Sequence, residues 1–472
     1  MDNSIPGQFV RWALVLFGVG TLSFIIFGEN NLGWVLIIVG GVIAGAISVL
    51  FMDRAPGAGM KKRYLGGAKV RVLKSPEEGE GLLLGAARWP RNIEPQHLLV
   101  EGANGTGKTQ LLKQLVNQLR ERGDTVVIVD SQYDMFNTFG RQGDVILSPF
   151  DERSPGWLPL NEIRRSSDWD ALAETLISKG EGNSAEWNAM ARAYFSAIAR
   201  GYHRETEEMG EEFDHEALFK LLTSAPVEAV APFLEGSAAA SLVDNEKGLT
   251  NIRMSFFEGL KFWQDLKPGA FSLRDWVALP DRERPSIFIP HQKRTLAAQR
   301  TLIATWIDQI VKEACDLGEN RNRRVFIIID ELASLGKIPS LEEATAELRK
   351  TGFCIVVGVQ NIEQIEQRYT RTGARTINSN LSSKVFFRVN DPEAAERISR
   401  TIGTARLEVT NVNQSTKEGD EKASVTVSMN EKEERLVLAS EVSGLRNLHA
   451  FVKFAESSET LKTTIPIYQG KE

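Results

Sequence analysis

Cysteine is nearly absent: the chain has two, Cys315 and Cys354, in 472 residues. Two thiols cannot build a disulfide framework, and such scarcity fits a reducing compartment. Histidine is almost as rare. His97, His203, His215, His291 and His449 are scattered, and none is spaced with a cysteine as zinc ligands are, which argues against a zinc site. An excess of positive charge is missing too, since 56 Lys and Arg face 62 Asp and Glu, for a net charge of −6. A protein that coats nucleic acid is basic overall, so any such contact here has to be local, in a groove or channel. There is no internal repeat and no long low-complexity tail. What is left, 42% apolar and 25% charged residues, is a globular composition long enough for two or three domains.

Long apolar runs occur only near the start. Residues 12–27 and 32–52 carry no charge, and the second run has 21 residues, enough to cross a membrane's hydrocarbon layer of ~30 Å. The first has 16 and extends to Phe9 if Arg11 snorkels. Only Gly28-Glu29-Asn30-Asn31 separates them. Arg11 precedes the pair and Arg54, Lys61, Lys62 and Arg63 follow it, so the positive-inside rule places both ends in the cytoplasm. A cleaved signal peptide would need a small-residue site, and instead a second span follows at once. The Gly41-to-Gly45 spacing suits close helix packing in a membrane.

A short apolar strand at 97–100 runs into Gly102-Ala103-Asn104-Gly105-Thr106-Gly107-Lys108-Thr109, which satisfies G-x-x-x-x-G-K-[ST]. Glycines let the backbone turn its N–H groups onto phosphate oxygens. Lys108 supplies a charge to the β and γ phosphates, and the Thr109 hydroxyl can hold Mg²⁺. A helix at 107–122, with Leu111, Leu112, Leu115 and Leu119 on one face, offers its positive end to the anion. Residues 102–110, Gln110 included, are the candidate nucleotide-binding set, with ATP and Mg²⁺ as ligands. Far downstream, the apolar run 325–329 ends in Asp330-Glu331. Asp330 can hold Mg²⁺ through water and Glu331 can polarise an attacking water. The next strand, 354–359, closes on Gln360, which can sense the γ-phosphate or lie in a plain surface loop. On a helix at 340–350, Arg349 either reaches a neighbouring subunit's ATP as an arginine finger or belongs to a solvated charged face.

Strands at 97–100, 125–129, 144–147, 286–289, 325–329, 354–359 and 384–388 alternate with helices, the pattern of an α/β, mostly parallel, open sheet with ligands at the carboxyl ends. Asp130 and Asp134 follow the second strand, as loop positioners or as caps. Between 161 and 266 the strand pattern stops. Helices expected at 168–178, 185–202, 215–222 and 226–233 make an all-α insertion, with Trp187, Tyr194 and Ile198 on one face. Its expected loop 205–216 holds seven acids in twelve residues, a solvated loop or a docking face for a basic partner. The insertion splits the nucleotide-binding domain in two. The division is then a transmembrane hairpin at 1–55, a leading nucleotide-binding segment at 56–160, the insertion at 161–266 and a closing nucleotide-binding segment at 267–472. Arg368, Arg371 and Arg375, with Tyr369, follow the Gln360 strand and fit either backbone tracking of single-stranded nucleic acid or an exposed helix without such a role. Residues 321–324 read as a solvated loop. Residues 407–415 and 424–428 read as an extended hairpin around Lys417-Glu418-Gly419-Asp420, and 452–454 as a last strand.

This arrangement resembles the type IV coupling proteins of bacterial conjugation, the TraD/TraG/TrwB group of RecA/FtsK/HerA-like ATPases. The resemblance is carried by the N-terminal hairpin, Gly102–Thr109, residues 144–154, the helical insertion, residues 326–335, Gly358-Val359-Gln360 and residues 386–391, nearly the whole chain. It implies a homo-hexameric ATPase at the bacterial inner membrane that takes single-stranded DNA with its relaxase and relaxosome proteins and drives it into a type IV secretion channel. It also implies that Arg349 is the arginine finger, Gln360 the γ-phosphate sensor, and the insertion the place where substrate arrives. Three features depart from the family pattern. The turn at 28–31 is shorter than the periplasmic loop many members carry. Asp130-Ser131-Gln132-Tyr133 stands where members show Asp-Pro-Lys-Gly. The long C-terminal tail of some relatives is expected to be missing. A rival reading is a receptor platform that hands proteins to the secretion channel. An ABC transporter is disfavoured, because no LSGGQ-type signature lies between the two nucleotide motifs.

Overall fold

Among the described residues, fifteen strands form, most of them where β-branched and aromatic residues cluster: β1 (Lys61–Gly67), β2 (Lys69–Val72), β3 (Gly81–Leu84), β4 (Ala87–Pro90), β5 (Leu98–Glu101), β6 (Thr125–Ser131), β7 (Val145–Ile146), β8 (Ile287–His291), β9 (Val325–Ile329), β10 (Phe353–Val359), β11 (Ser383–Phe386), β12 (Thr404–Ser415), β13 (Ser424–Arg435), β14 (His449–Lys453) and β15 (Glu459–Thr464). They come from a computed structural model that describes residues 61–177, 183–415 and 424–470. The membrane hairpin expected at 1–55 and the turn at 417–420 lie outside the described residues. The chain divides into two units, 67–405 with 435–472 and 1–66 with 406–434. The second holds a three-stranded sheet in the order β1-β12-β13.

The larger unit is built on a ten-stranded sheet in the order β2-β15-β14-β11-β5-β10-β9-β6-β8-β7. From β11 to β7 every pairing is parallel. β14 runs antiparallel to both β11 and β15, so the sheet is mixed at this end, and β15 was not expected from sequence. β8, β9 and β10 are buried along their whole length, as strands covered on both faces must be. Their side chains alternate between two cores. Phe326, Ile328, Cys354 and Val356 pack with Leu111, Leu112, Leu115 and Leu119 of the helix Lys108–Arg122. Ile327, Ile329, Ile355 and Val357 face the other core, which continues into the helical insertion through Trp169, Tyr194, Phe195 and Ile198. Parallel registry of β10 with β5 (Val359 opposite Glu101) and with β9 (Val357 opposite Ile329) brings Gly102, Asp330 and Gln360 to one edge.

Between β7 and β8 only helices occur among the described residues, notably Asp168–Leu176, Asn183–Met209, His215–Thr223, Val227–Leu234 and Glu246–Leu260. Two expectations fail here. The acidic segment does not start as a loop, because helix continues through Glu205, Glu207 and Glu208 to Met209. Glu and Arg are good helix formers, and His203–Glu207 (3.6 Å) and Arg204–Glu208 (4.0 Å) pair one turn apart. Trp187 is exposed, whereas Ala191, Tyr194, Phe195 and Ile198 supply the buried face. The helix Glu246–Leu260 escaped notice because Gly248 and Gly259 interrupt its apolar stripe; Asn245 caps it by accepting from Gly248 N–H.

Residues 321–324 form a loop, as expected, but one that is solvated only in part. Arg321 is exposed, but Arg324 is buried and donates to Glu94 Oε2 at 3.0 Å. Glu94 is itself buried and also takes both Nη groups of Arg122 (2.7 and 3.0 Å). A carboxylate without water needs this neutralisation, and Glu94 and Arg324 lie more than two hundred residues apart.

Candidate nucleotide site

The cradle starts where β5 ends. Gly102 N–H donates to Val359 O (3.1 Å) and Ala103 N–H to Arg388 O (2.8 Å), which ties the loop to both neighbouring strands. Gly105 (φ 72°) and Gly107 (φ 125°) turn the chain back, and a Cβ on Gly107 would lie 3.0 Å from the Phe387 ring. Thr106 Oγ1 closes the turn on Ala103 O (2.7 Å), while Leu448 N–H braces Thr106 O (2.7 Å). The helix Lys108–Arg122 then opens with no side-chain cap, so its first N–H groups stay available to an anion.

Lys108 lies folded over this loop and donates to Gly102 O (2.6 Å) and Ala103 O (3.3 Å). Burial lowers its pKa, opposed by the charges of Glu331 and Asp330. Thr109 Oγ1 donates to Asp330 Oδ2 at 3.2 Å across 221 residues of sequence, so the two motifs converge. Burial raises the Asp330 pKa, against the pull of Lys108 and the Thr109 hydrogen bond. The Glu331 pKa is likewise raised by burial, an effect that the neighbouring Gln360 amide and the charge of Lys108 oppose. One of its oxygens, Glu331 Oε1, is buried without a hydrogen-bond partner among the described residues. Such an oxygen is placed to accept a hydrogen bond from a bound water or ligand.

Lys108, Thr109, Asp330, Glu331 and Gln360 line one cavity of about 1140 Å³. Of the expected nucleotide-binding residues, Asn104, Gly105, Gly107, Lys108, Thr109 and Gln110 line it, with Asp330, Glu331 and Gln360. Gln110 does so with its Oε1 already accepting from Tyr468 N–H (2.9 Å). Arg349 is elsewhere. It is exposed near the end of the helix Leu341–Thr351, next to the start of β10, at the opposite end of that strand from Gln360. Asp130 acts as a cap, accepting from Met135 N–H (2.9 Å) and Phe136 N–H (2.8 Å), and burial pushes its pKa up to about 6. Asp134 pairs with Lys113 (2.8 Å). His291 and Lys293 also line the cavity and were not singled out from sequence. Their place at and just beyond the carboxyl end of a parallel strand was the available signal.

Arg371 and Arg375 are exposed one turn apart on the helix Arg371–Asn380 and line a separate groove of about 780 Å³. Neither has an ion pair among the described residues, whereas Arg397 in the same groove is held by Glu101 and Glu363. Arg368 is exposed as well. Tyr369 is not available for stacking on a base. It is buried, and its hydroxyl accepts from Ile338 N–H (3.0 Å).

A glycine-turn cradle at the end of a central parallel strand, with an acidic pair converging on it from the strand two places away, defines a P-loop nucleotide-binding protein of the α/β class. Within that class, residues 82–466 match the model of the type IV secretion-system coupling protein DNA-binding domain, and the chain belongs to that family. Coupling protein TraD of Escherichia coli (strain K12) is 29% identical over 344 residues, 71% of this chain and 47% of TraD. The coupling protein VirD4 of Bartonella quintana (strain Toulouse) is 30% identical over 120 residues, 25% of this chain and 18% of VirD4. A solved structure of the plasmid coupling protein TrwB in complex with ADP and Mg²⁺ is similar with a TM-score of 0.74 at 31% identity, covering 88% of this chain and 96% of that one. TrwB has also been solved with a non-hydrolysable ATP analogue, ADPNP. The chain spans about half the length of the curated relatives TraD and TraG.

Proposed function

We propose that this chain is a membrane-anchored ATPase that binds Mg-ATP and uses its hydrolysis to drive single-stranded DNA, with its relaxase, into a type IV secretion channel. The observation that carries the ATPase reading is the convergence of Thr109 and Asp330 at 3.2 Å beside Lys108 and a Glu331 oxygen without a partner among the described residues. The N–H groups of the glycine turn and of the helix start receive the β and γ phosphates. Lys108 leaves its carbonyl partners for the phosphate oxygens, where a cation is worth more. Glu331 Oε1 takes a proton or hydrogen bond from the attacking water, and Gln360 holds that carboxylate in place. Thr109 and Asp330 are the residues that would hold Mg²⁺, which supplies positive charge against the phosphates.

Arg349 cannot serve its own chain's site from the far end of β10, so a catalytic role for it requires a second subunit in a ring, and a homo-hexamer is the assembly we favour. Anchoring at the inner membrane rests on the two apolar runs 12–27 and 32–52. The exposed Arg371 and Arg375, with Arg368, supply a short basic track of the kind an otherwise acidic protein needs to follow a phosphate backbone. A second reading, a receptor that docks basic proteins, is favoured by one observation: Glu205, Glu207, Glu208, Glu211, Glu212, Asp214 and Glu216 are concentrated in twelve residues, and all seven are exposed. ATPase assays of the full chain separate the two. Stimulation by single-stranded DNA that fades with salt and disappears in Arg371→Ala plus Arg375→Ala supports the DNA motor. No stimulation, together with binding of a lysine-rich secreted protein that is lost when the acids at 205–216 are neutralised, supports the receptor.

A further inference from the structure

The residue just before the cradle has a partner far away in sequence. Glu101 ends β5, directly ahead of Gly102, and is fully buried. Its carboxylate takes both Nη groups of Arg397, with Nη1 at 3.2 Å from Oε2, across 296 residues of sequence. Oε1 also accepts from Ile362 N–H at 3.3 Å, two residues past Gln360. Arg397 Nε donates to Glu363 Oε1 at 2.9 Å. One guanidinium thus holds both the segment that enters the cradle and the segment that leaves Gln360. The helix that carries it, Pro392–Ile402, is tied to the same place at its start. Asp391 caps that helix by accepting from Ala394 N–H (3.1 Å) and also accepts from Asn361 Nδ2 (3.1 Å).

Arg397 is not fully enclosed. Its side chain is 26% exposed and lines the groove of about 780 Å³ that Arg371 and Arg375 border. Four arginines and four glutamates line that groove, so it is neutral as a whole. Arg400 lies 3.5 Å from Glu396, and Arg397 is shared between Glu101 and Glu363. Arg371 and Arg375 are the groove's cations without an ion pair among the described residues. An anionic strand drawn in by those two meets Arg397 and Glu363 in the same groove. It attracts the first and repels the second, while Glu101, buried away from water, holds to its counter-charge. The shared guanidinium is where a charge in the groove is felt at the cradle.

We propose that Arg397 is a positioning residue through which an anionic strand in this groove and the nucleotide in the cradle strengthen each other's binding. A shift of Arg397 toward a phosphate draws Glu101 and Gly102 with it. That loosens the bond from Lys108 to the Gly102 carbonyl (2.6 Å) and frees Lys108 for a nucleotide. Release of Glu363 loosens the segment that starts at Gln360, which lines the nucleotide cavity. This rests on the DNA-motor reading above, and it adds to it the pair Glu101–Arg397 as the link between the basic groove and the phosphate cradle.

The test is a linkage measurement on the full-length chain in detergent, with a fluorescent oligo-dT as the strand and ADPNP with Mg²⁺ as the nucleotide. Each ligand is titrated with and without a saturating amount of the other. In the wild type each should tighten the other's apparent Kd by the same factor, about tenfold, because coupling between two binding sites is reciprocal. Two variants break the link. Glu101→Gln plus Arg397→Gln removes both charges and leaves no buried carboxylate uncompensated. Arg397→Lys keeps the charge and loses the planar fork that serves two carboxylates at once. In both, the factor should fall to about twofold or less, whatever happens to either affinity alone. A purely structural role would change the affinities and leave the factor. A factor at the wild-type value in either variant overturns the proposal, as does a wild type in which the two ligands bind independently or weaken each other. Oligo-dT binding that is as strong in Arg371→Ala plus Arg375→Ala as in the wild type overturns the DNA-motor reading of this groove, and the coupling with it.

Discussion

His97 makes a testable link between pH and the framework that carries the cradle. It is fully buried just before β5, with φ 65°. Its Nδ1 accepts from Ile355 N–H of β10 (3.1 Å), so the proton sits on Nε2, which donates to Thr345 O of the helix Leu341–Thr351 (2.8 Å). One imidazole thus joins the P-loop strand, the strand that leads to Gln360 and the helix that carries Arg349. Burial is the main reason its pKa falls to about 4; the hydrogen bond to Thr345 opposes this and the charge of Arg349 adds to it. Protonation would also turn Nδ1 from acceptor to donor and set it against Ile355 N–H. Above pH ~6.5 neither folded nor unfolded chain carries this proton, and the full stability is present. As pH falls below that, the unfolded chain takes up the proton and the folded one does not. Stability is then lost at ~1.4 kcal/mol per pH unit, on the order of 3 kcal/mol by pH ~4. His97→Gln supplies one acceptor and one donor and does not titrate. Denaturant unfolding of both proteins, followed by tryptophan fluorescence from pH 7 to 4, should show the wild type's advantage over the variant shrinking by about that amount. A difference that stays constant across this range would refute a neutral, buried His97.

Asp130 has the opposite sign. Its pKa in the fold is raised to about 6, so the folded chain holds its proton where the unfolded chain does not, and stability falls as pH rises from ~4 to ~6. Asp130→Asn should remove that slope, measured by the same unfolding series. Lys108→Ala should abolish ATP hydrolysis, and Glu331→Gln should lower turnover at least ~100-fold while retaining bound ATP, read by filter binding alongside phosphate release. Mixing Arg349→Ala with Lys108→Ala subunits should restore some of the ATPase rate at mixed sites if the arginine acts across a subunit boundary, whereas no recovery at any ratio points to a local role for Arg349.

The nucleotide motifs were legible because their chemistry is local. Gly102–Thr109 needs φ values that glycine supplies at Gly105 and Gly107, and Asp330-Glu331 closes an apolar run that no surface strand would carry. The parallel strands from β11 to β7 and the helical character of 161–266 follow from periodicity for the same reason. The helix to Met209, the Glu246–Leu260 helix and the buried Tyr369 were misread or missed because each depends on what packs against it.

By itself, then, the sequence determined that a phosphate cradle, an acidic strand end and an all-helical stretch exist, since backbone conformation and hydrophobic period are properties of neighbouring residues. Only the tertiary structure decided which distant charges meet. Glu94 finds Arg122 and Arg324, Glu101 finds Arg397, Lys267 finds the Asp151 carbonyl, and Glu331 keeps one oxygen without a partner among the described residues. Burial makes an unpaired charge expensive, and its partners are chosen by the three-dimensional path of the sheet, to which spacing along the chain is no guide.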